Sequence, residues 1–582
     1  MSGNGFSYLL GLQELISTDA GSSRLSTSTQ EERGIESLSV KSPSRQPASS
    51  RPSFSTTQTS REDGKIYEGP CLETPLQWLQ TCRRKHRYCA EVLHAGYRPT
   101  RLVDLGSTFD FSRARLIESS PHDGPVDYLA LSYCWGTTMP DAGKTTIATL
   151  VAQKSRLRRA KLPRTFKHFF EIAKLLNIRY VWIDSLCIIQ DSEVDWQREA
   201  ASIGQIYSGA VCTIAAESAK DSQGGIWLES RTRKIENGHS TTYETITQEQ
   251  NLRNYLSVID QRLYKSPLQQ RGWSLPERNL SPRVLHFTFS HIYWECRELK
   301  VDMPVFLAGI EEVASSPAGR QASSQEWQLT RLRPFDVPME TRTNPHSKAL
   351  LSSLSPANLF LVWRTMIEEY SGRQFTRWSD RLPALSGVAN EIQLHVNSEY
   401  MVGIWSDDPQ GLLWAISDTV HVARKLENGA PSWSWASHES DPITYRHIHD
   451  AFTNVIDQDT PSVARIVHTH IVPAGLDPKG RTLYGSLQLM CRVRWVTSSQ
   501  HFHSMRCTFY REDATSWPLL EYSEQKSVMV IRILESETGG SWGLVLKASK
   551  KHGLDEFERI GVIGGIDNRW FDAGFDRMVT IV

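Results

Sequence analysis

A chain of 582 residues with 65 basic and 65 acidic side chains has no net field, which excludes attachment to nucleic acid or an anionic membrane through global charge. Its length exceeds one ordinary core, so two or three folded units with some disordered sequence are expected. No leader-like start or membrane-length apolar run is present, and nine scattered cysteines suit a reducing compartment, so the expected address is cytoplasmic, without a transmembrane segment.

Residues 1–66 read as a disordered Ser/Thr-rich tail, because so few apolar groups cannot offset the entropy of ordering. Within it, Phe6, Leu9, Leu10, Leu12, Leu15 and Ile16 fit a short amphipathic helix. Residues 67–127 are expected to be a helical lead-in packed on the core. There Leu79, Cys82, His86, Cys89 and Leu93 recur at spacings of three and four, which is one helical face. Cys82, His86, Cys89 and His94 are of metal-ligating types, but their spacing matches no zinc pattern. A core stripe is the reading, and no metal is expected.

From Tyr128 the pattern changes. Tyr128-Leu-Ala-Leu-Ser-Tyr-Cys134 is a nearly continuous apolar run closed by Trp135-Gly136, as in a strand buried on both faces. Leu162-Pro163 then precedes Phe166, Phe169, Phe170, Ala173 and Leu176 on one helical stripe, with the proline tolerable in a first turn. Arg179 to Asp184 gives a second strand. Ser192 is the expected N-cap of the next helix, which buries Trp196, Ala200, Ile203 and Tyr207, and Ala210 to Ala216 is a third strand. This alternation predicts an α/β fold around a small three-layer, flavodoxin-like parallel sheet over residues 128–283. Residues 284–582 are expected to be an α+β, strand-rich region with linkers near 313–347, its strands including Ser486 to Trp495, Val528 to Leu534, Gly543 to Leu546 and Ile560 to Ile563.

Several motifs in fixed order resemble one family. Ala130-Leu-Ser-Tyr-Cys-Trp-Gly136, Tyr180-Val-Trp-Ile-Asp-Ser-Leu-Cys-Ile-Ile-Gln-Asp191, Asp195-Trp196, Ile206-Tyr207 and Arg271-Gly-Trp-Ser-Leu-Pro-Glu-Arg278 are similar to landmarks of the fungal heterokaryon incompatibility (HET) domain. Asp380-Arg-Leu-Pro-Ala-Leu-Ser-Gly387 and Pro431-Ser-Trp-Ser-Trp435 resemble the family's downstream landmarks. The closing motif departs from the family at Pro276, where Gln is usual, so no role of that Gln is carried over. The resemblance implies a nonself-recognition and cell-death module of filamentous fungi, acting through self-association or a protein partner and needing no cofactor.

Chemistry is sought where open parallel sheets bind ligands, at the carboxyl ends of their strands. That edge should carry Cys134, Gly136, Asp184, Ser185 and Asp191, although carboxylates there also serve as caps. Asp141-Ala-Gly-Lys-Thr145 imitates the end of a phosphate-binding loop but has Thr138 where the pattern needs Gly. Cys187, among apolar neighbours, reads as a packed thiol rather than a nucleophile. Glu199 lies beside the buried helical stripe and needs a partner, such as a neighbouring Arg. The HET domain also distantly resembles the Toll/interleukin-receptor (TIR) domain, whose NAD-cleaving members carry a helix-borne Glu near a Trp. The resemblance therefore implies an alternative in which Glu199 is catalytic and NAD is the substrate.

Overall fold

The computed structural model describes residues 58–62, 65–69, 73–90, 97–120, 123–227, 263, 265–288, 291–298, 300–304, 354–417, 429–438, 442–445, 462–496, 508–511, 528–536, 540–549 and 555–582. The expected helix at Phe6–Ile16, His94 and the expected linkers at 313–347 lie outside these. At the start, β1 (Gln58–Glu62) pairs antiparallel with β2 (Lys65–Gly69). β1 and the first two residues of β2 fall in the stretch expected to be disordered. The two strands flank Asp63-Gly64, a dipeptide that favours tight hairpin turns even in polar sequence.

Helices α1 (Glu73–Lys85) and α2 (Arg87–Ala90) follow, and then two strands the sequence reading did not anticipate, β3 (Arg101–Asp104) and β4 (Arg115–Glu118). β5 (Tyr128–Ser132), β6 (Tyr180–Trp182), β7 (Cys212–Ala216) and β8 (Arg283–Phe287) continue the same sheet, with β9 (His291–Cys296) and β10 (Lys300–Pro304) beyond them. Strand order is β10-β9-β8-β7-β5-β6-β3-β4.

The four central strands pair in parallel, β6 with β5, β5 with β7, and β7 with β8. Their neighbours run antiparallel on both sides. The expected parallel sheet is therefore a mixed one, because the links within β3–β4 and β8–β9–β10 are too short for the crossover that parallel neighbours need. Every residue of β5, β7 and β8 is buried, which accounts for their unbroken apolar character.

Between β5 and β6 lie α3 (Leu150–Ser155) and α4 (Arg164–Leu175), the latter burying Phe166, Phe169, Phe170 and Ala173. Between β6 and β7 lie α5 (Asp184–Cys187) and α6 (Glu193–Gly209). The Ser192 hydroxyl caps α6 by accepting from the Asp195 N–H at 3.3 Å, as its sequence suggests. α7 (Ser274–Leu280) precedes β8, with Pro276 in its first turn, where a missing N–H breaks no helical bond.

The later part of the chain is α+β. α8 (Pro356–Ser371) and α9 (Arg381–Gln393) come first, then two small pairs, β11 (Tyr400–Met401) with β12 (Ile404–Trp405) and β13 (Ala415–Ile416) with β14 (Ile443–Thr444). A seven-stranded sheet follows: β15 (Arg465–Pro473), β16 (Thr482–Val496), β17 (Thr508–Arg511), β18 (Val528–Ser536), β19 (Gly540–Ala548), β20 (Glu556–Ile566) and β21 (Phe575–Ile581). β21 pairs with both β16 and β20, so β16, β18, β19, β20 and β21 close into a ring. Closure removes two exposed edges. Alternate residues of β16, namely Leu487, Leu489, Cys491 and Val493, point into the core. Among the described residues no helix is long and apolar enough to cross a membrane.

Candidate functional site

At the carboxyl ends of the parallel strands the chain concentrates buried polar groups. β5 runs directly into Tyr133, whose hydroxyl donates to Ser185 Oγ at 3.0 Å. The Trp135 indole N–H donates to Asp184 Oδ2 at 2.7 Å, and the Ser185 N–H to Asp184 Oδ1 at 2.6 Å. Burial raises the Asp184 carboxyl, while Arg271 and these two donors pull it back. Two of the expected residues, Asp184 and Ser185, thus meet at this edge with Tyr133 and Trp135 of the segment that leads to Gly136.

Gly136 has φ +79° and a Cβ there would collide with Asp221, so only glycine fits. Cys134 packs with Ala215, Leu268 and Val284, and burial pushes its thiol up to about 11. Asp191 is not brought to the cluster. It is exposed and accepts the Ile147 N–H at 2.8 Å, anchoring the loop that leads into α3.

Two charged residues join this edge that sequence reasoning quoted only as landmarks. Arg271 donates to the Tyr133 carbonyl, and Glu277, on α7, accepts from the Ser132 hydroxyl. Burial pushes the Glu277 carboxyl up to about 7, against the pull of Arg271 and Ser132. A carboxyl poised there exchanges a proton near neutral pH. The signal available in the sequence was the placement of Arg271 and of Glu277-Arg278 on either side of Trp273, Leu275 and Pro276.

Beside it lies a second buried network. His286 on β8 sits between two carboxylates, with Nδ1 2.6 Å from Glu217 Oε1 and Nε2 3.0 Å from Glu295 Oε2. Arg278 meets Glu295 with Nε at 2.7 Å and a terminal nitrogen at 3.1 Å. Burial alone would raise Glu217, yet His286, Ser266 and Gln269 hold it below the usual carboxylate range. These side chains tie β7, β8, β9 and α7 together.

Glu199 sits elsewhere. It is 1% exposed on α6, and neither carboxylate oxygen has a close hydrogen bond among the described residues. The expected Arg partner exists but is engaged. Arg101 of β3 grips Asp195 and donates to the Cys187 carbonyl at 2.8 Å, leaving 4.0 Å between its nearest nitrogen and Glu199. Burial raises the Glu199 carboxyl despite Thr100 and Arg101. Cys187 is fully buried and burial raises its thiol, in keeping with a packed role.

The Asp141–Thr145 segment forms no phosphate loop. Asp141–Gly143 is one 3₁₀ turn, Lys144 lies 3.5 Å from Asp141, and Thr145 donates to the Leu186 carbonyl at 2.6 Å. A cleft of about 150 Å³ opens against α6, lined by Trp196, Ala200, Pro383, Leu476 and Arg481 among others, and includes none of the strand-end residues. Arg481 covers the Trp196 ring at 4.5 Å.

Comparison with known proteins gives one family. Residues 128–277 match the family model described as heterokaryon incompatibility protein (HET), a span that begins with β5 and ends on Glu277. No curated protein and no solved structure matches the chain significantly.

Proposed function

With a HET domain at residues 128–277 as the premise, we propose that this chain is a heterokaryon-incompatibility-type nonself-recognition and cell-death module of a filamentous fungus. It acts in the cytoplasm through self-association or a protein partner, without nucleic acid and without a cofactor. The family match carries the reading. The strand-end geometry supports it, because Asp184, Ser185, Arg271 and Glu277 are each engaged by neighbouring groups and hold a fixed framework rather than an unfilled set of reacting groups.

The test is inducible expression of the full chain in a fungal host, with viability and NAD followed together. The expected result is growth arrest at unchanged NAD, and purified full chain that assembles with concentration but releases no nicotinamide. A chain that leaves growth untouched would refute the death-module reading.

One observation favours a second reading, a TIR-like core with NAD-cleaving activity. Among the described residues the buried Glu199 carboxyl has only partial compensation, from Arg101 at 4.0 Å and from Thr100, against the cost of its burial. In this reading Glu199 holds the nicotinamide ribose and stabilises the positive charge that builds as the glycosidic bond breaks. Nicotinamide released by wild type and lost in a folded Glu199→Gln variant would establish it.

A further inference from the structure

The helical stripe before the HET domain contains more than core packing. Cys82 lies in the last turn of α1, His86 follows it directly, and Cys89 is on α2. Cys82 and Cys89 are fully buried, as a core stripe requires, whereas His86 is half-buried. A fourth residue, Cys296, joins them from the end of β9, 210 positions from His86. One donor atom from each of the four lies within 4.8 Å of all the others. We propose that Cys82, His86, Cys89 and Cys296 bind one zinc ion.

The distances suit a tetrahedron. Zinc holds sulfur at ~2.3 Å and imidazole nitrogen at ~2.0 Å, so tetrahedral edges are about 3.8 Å between sulfurs and about 3.5 Å from sulfur to nitrogen. His86 Nδ1 lies 3.4 Å from Cys296 Sγ and 3.9 Å from Cys89 Sγ. Three sulfurs and one imidazole select a borderline-soft cation over magnesium or calcium. All three cysteines are free, so no disulfide competes for the sulfurs.

The surroundings also fit. Three thiolates and a neutral imidazole around a divalent ion leave one negative charge, and a buried cation faces it. Arg283 is the cross-strand partner of Cys296 in the β8–β9 pairing. Its Nε donates to Cys82 Sγ at 3.1 Å, and a terminal nitrogen to the Cys89 carbonyl at 2.9 Å. An outer donor of this kind orients a ligand and balances its charge.

Four protein ligands leave no open position, so the ion is structural rather than catalytic. It fastens α1 and α2, which precede the HET match, to a hairpin that follows it. The sequence pattern missed the site because Cys82-x₃-His86-x₂-Cys89 supplies only three donors, and the fourth arrives through sheet pairing.

Elemental analysis of the purified, reduced full chain tests the proposal, with cobalt(II) as a spectroscopic substitute. One zinc per chain is expected, exchangeable for cobalt with the visible and near-ultraviolet bands of tetrahedral thiolate coordination. Cys296→Ser should weaken zinc affinity at least about tenfold, the scale on which site changes act. Cys212→Ser, altering a nearby buried thiol outside the cluster, should retain the ion. Should Cys296→Ser fail to fold, His86→Gln at the half-buried ligand gives the same readout. Folded wild type that holds neither zinc nor tetrahedral cobalt would overturn the site, as would zinc that persists undiminished in a folded ligand variant.

Discussion

Arg101 grips Asp195 with both terminal guanidinium nitrogens, at 2.6 and 3.0 Å, and both side chains are buried. Glu199, one turn further along α6, is left at 4.0 Å. Breaking a buried pair strands its other charge, so Asp195→Asn should destabilise by ~3–5 kcal/mol. Glu199→Gln removes a carboxylate that burial already disfavours, and should change stability by under about 1 kcal/mol. Urea midpoints of the two variants are the measurement. Equal losses would mean that Arg101 depends on Glu199 as much as on Asp195.

Trp182 on β6 is fully buried and meets Tyr207 edge-on, with ring centroids 5.6 Å apart. Trp182→Ala should cost ~3–5 kcal/mol through lost transfer energy and the cavity left behind. The indole N–H of Trp182 has no hydrogen bond among the described residues. Trp182→Phe should therefore cost clearly less than the alanine. Thermal unfolding of both checks the order, and a folded but inactive alanine variant would instead give Trp182 a direct role in function.

The elements legible in the sequence were those whose signals are local. The run at Tyr128–Ser132, the Ser192 cap and the Phe-rich stripe of α4 each announce themselves within a few residues. β3 was not legible, because Arg101-Leu-Val-Asp104 has only two apolar residues between two charges, and those charges make sense only through distant partners. Arg101 needs Asp195, and Asp104 needs Arg179, which meets it at 2.6 and 2.7 Å. The same reason hid Cys296 from the Cys82–Cys89 stripe and Glu277 from Ser132. Periodicity reports which face is buried, but not which polar groups meet there.

Glu277 gives the stability a pH dependence of known sign. Its folded carboxyl titrates at about 7, against ~4.3 in an unfolded chain, so between these values the folded state binds the extra proton. The contribution is fully present below the unfolded value and is lost as pH rises through about 7, by roughly 4 kcal/mol in all. Glu277→Gln keeps an acceptor for Ser132 and removes the titration. Chemical denaturation at pH 5 and pH 8 should show wild type losing more stability with rising pH than Glu277→Gln. Parallel profiles would place the folded carboxyl in its ordinary range.

Helices α6 and α9 meet at two glycines, Gly204 and Gly387, each so near that a Cβ on it would lie 2.9 Å from the other's Cα. The contact joins α6, inside the span that the family model matches, to α9, which lies beyond it. In a solvent-facing helix, Gly→Ala would stabilise by ~1 kcal/mol through backbone entropy. Here the added methyl meets backbone on one side and Leu280 Cδ1 on the other, at 3.5 Å from Gly204 and 3.0 Å from Gly387, so the helices must move apart. Overpacking of this kind costs ~1–3 kcal/mol, and the net effect of either alanine should be destabilising. Once one substitution has separated the helices, the second should cost less than it does alone, because the two share a single gap. Thermal melts of Gly204→Ala, Gly387→Ala and the double variant give the coupling directly. A single variant more stable than wild type would show that α6 and α9 do not pack through these glycines.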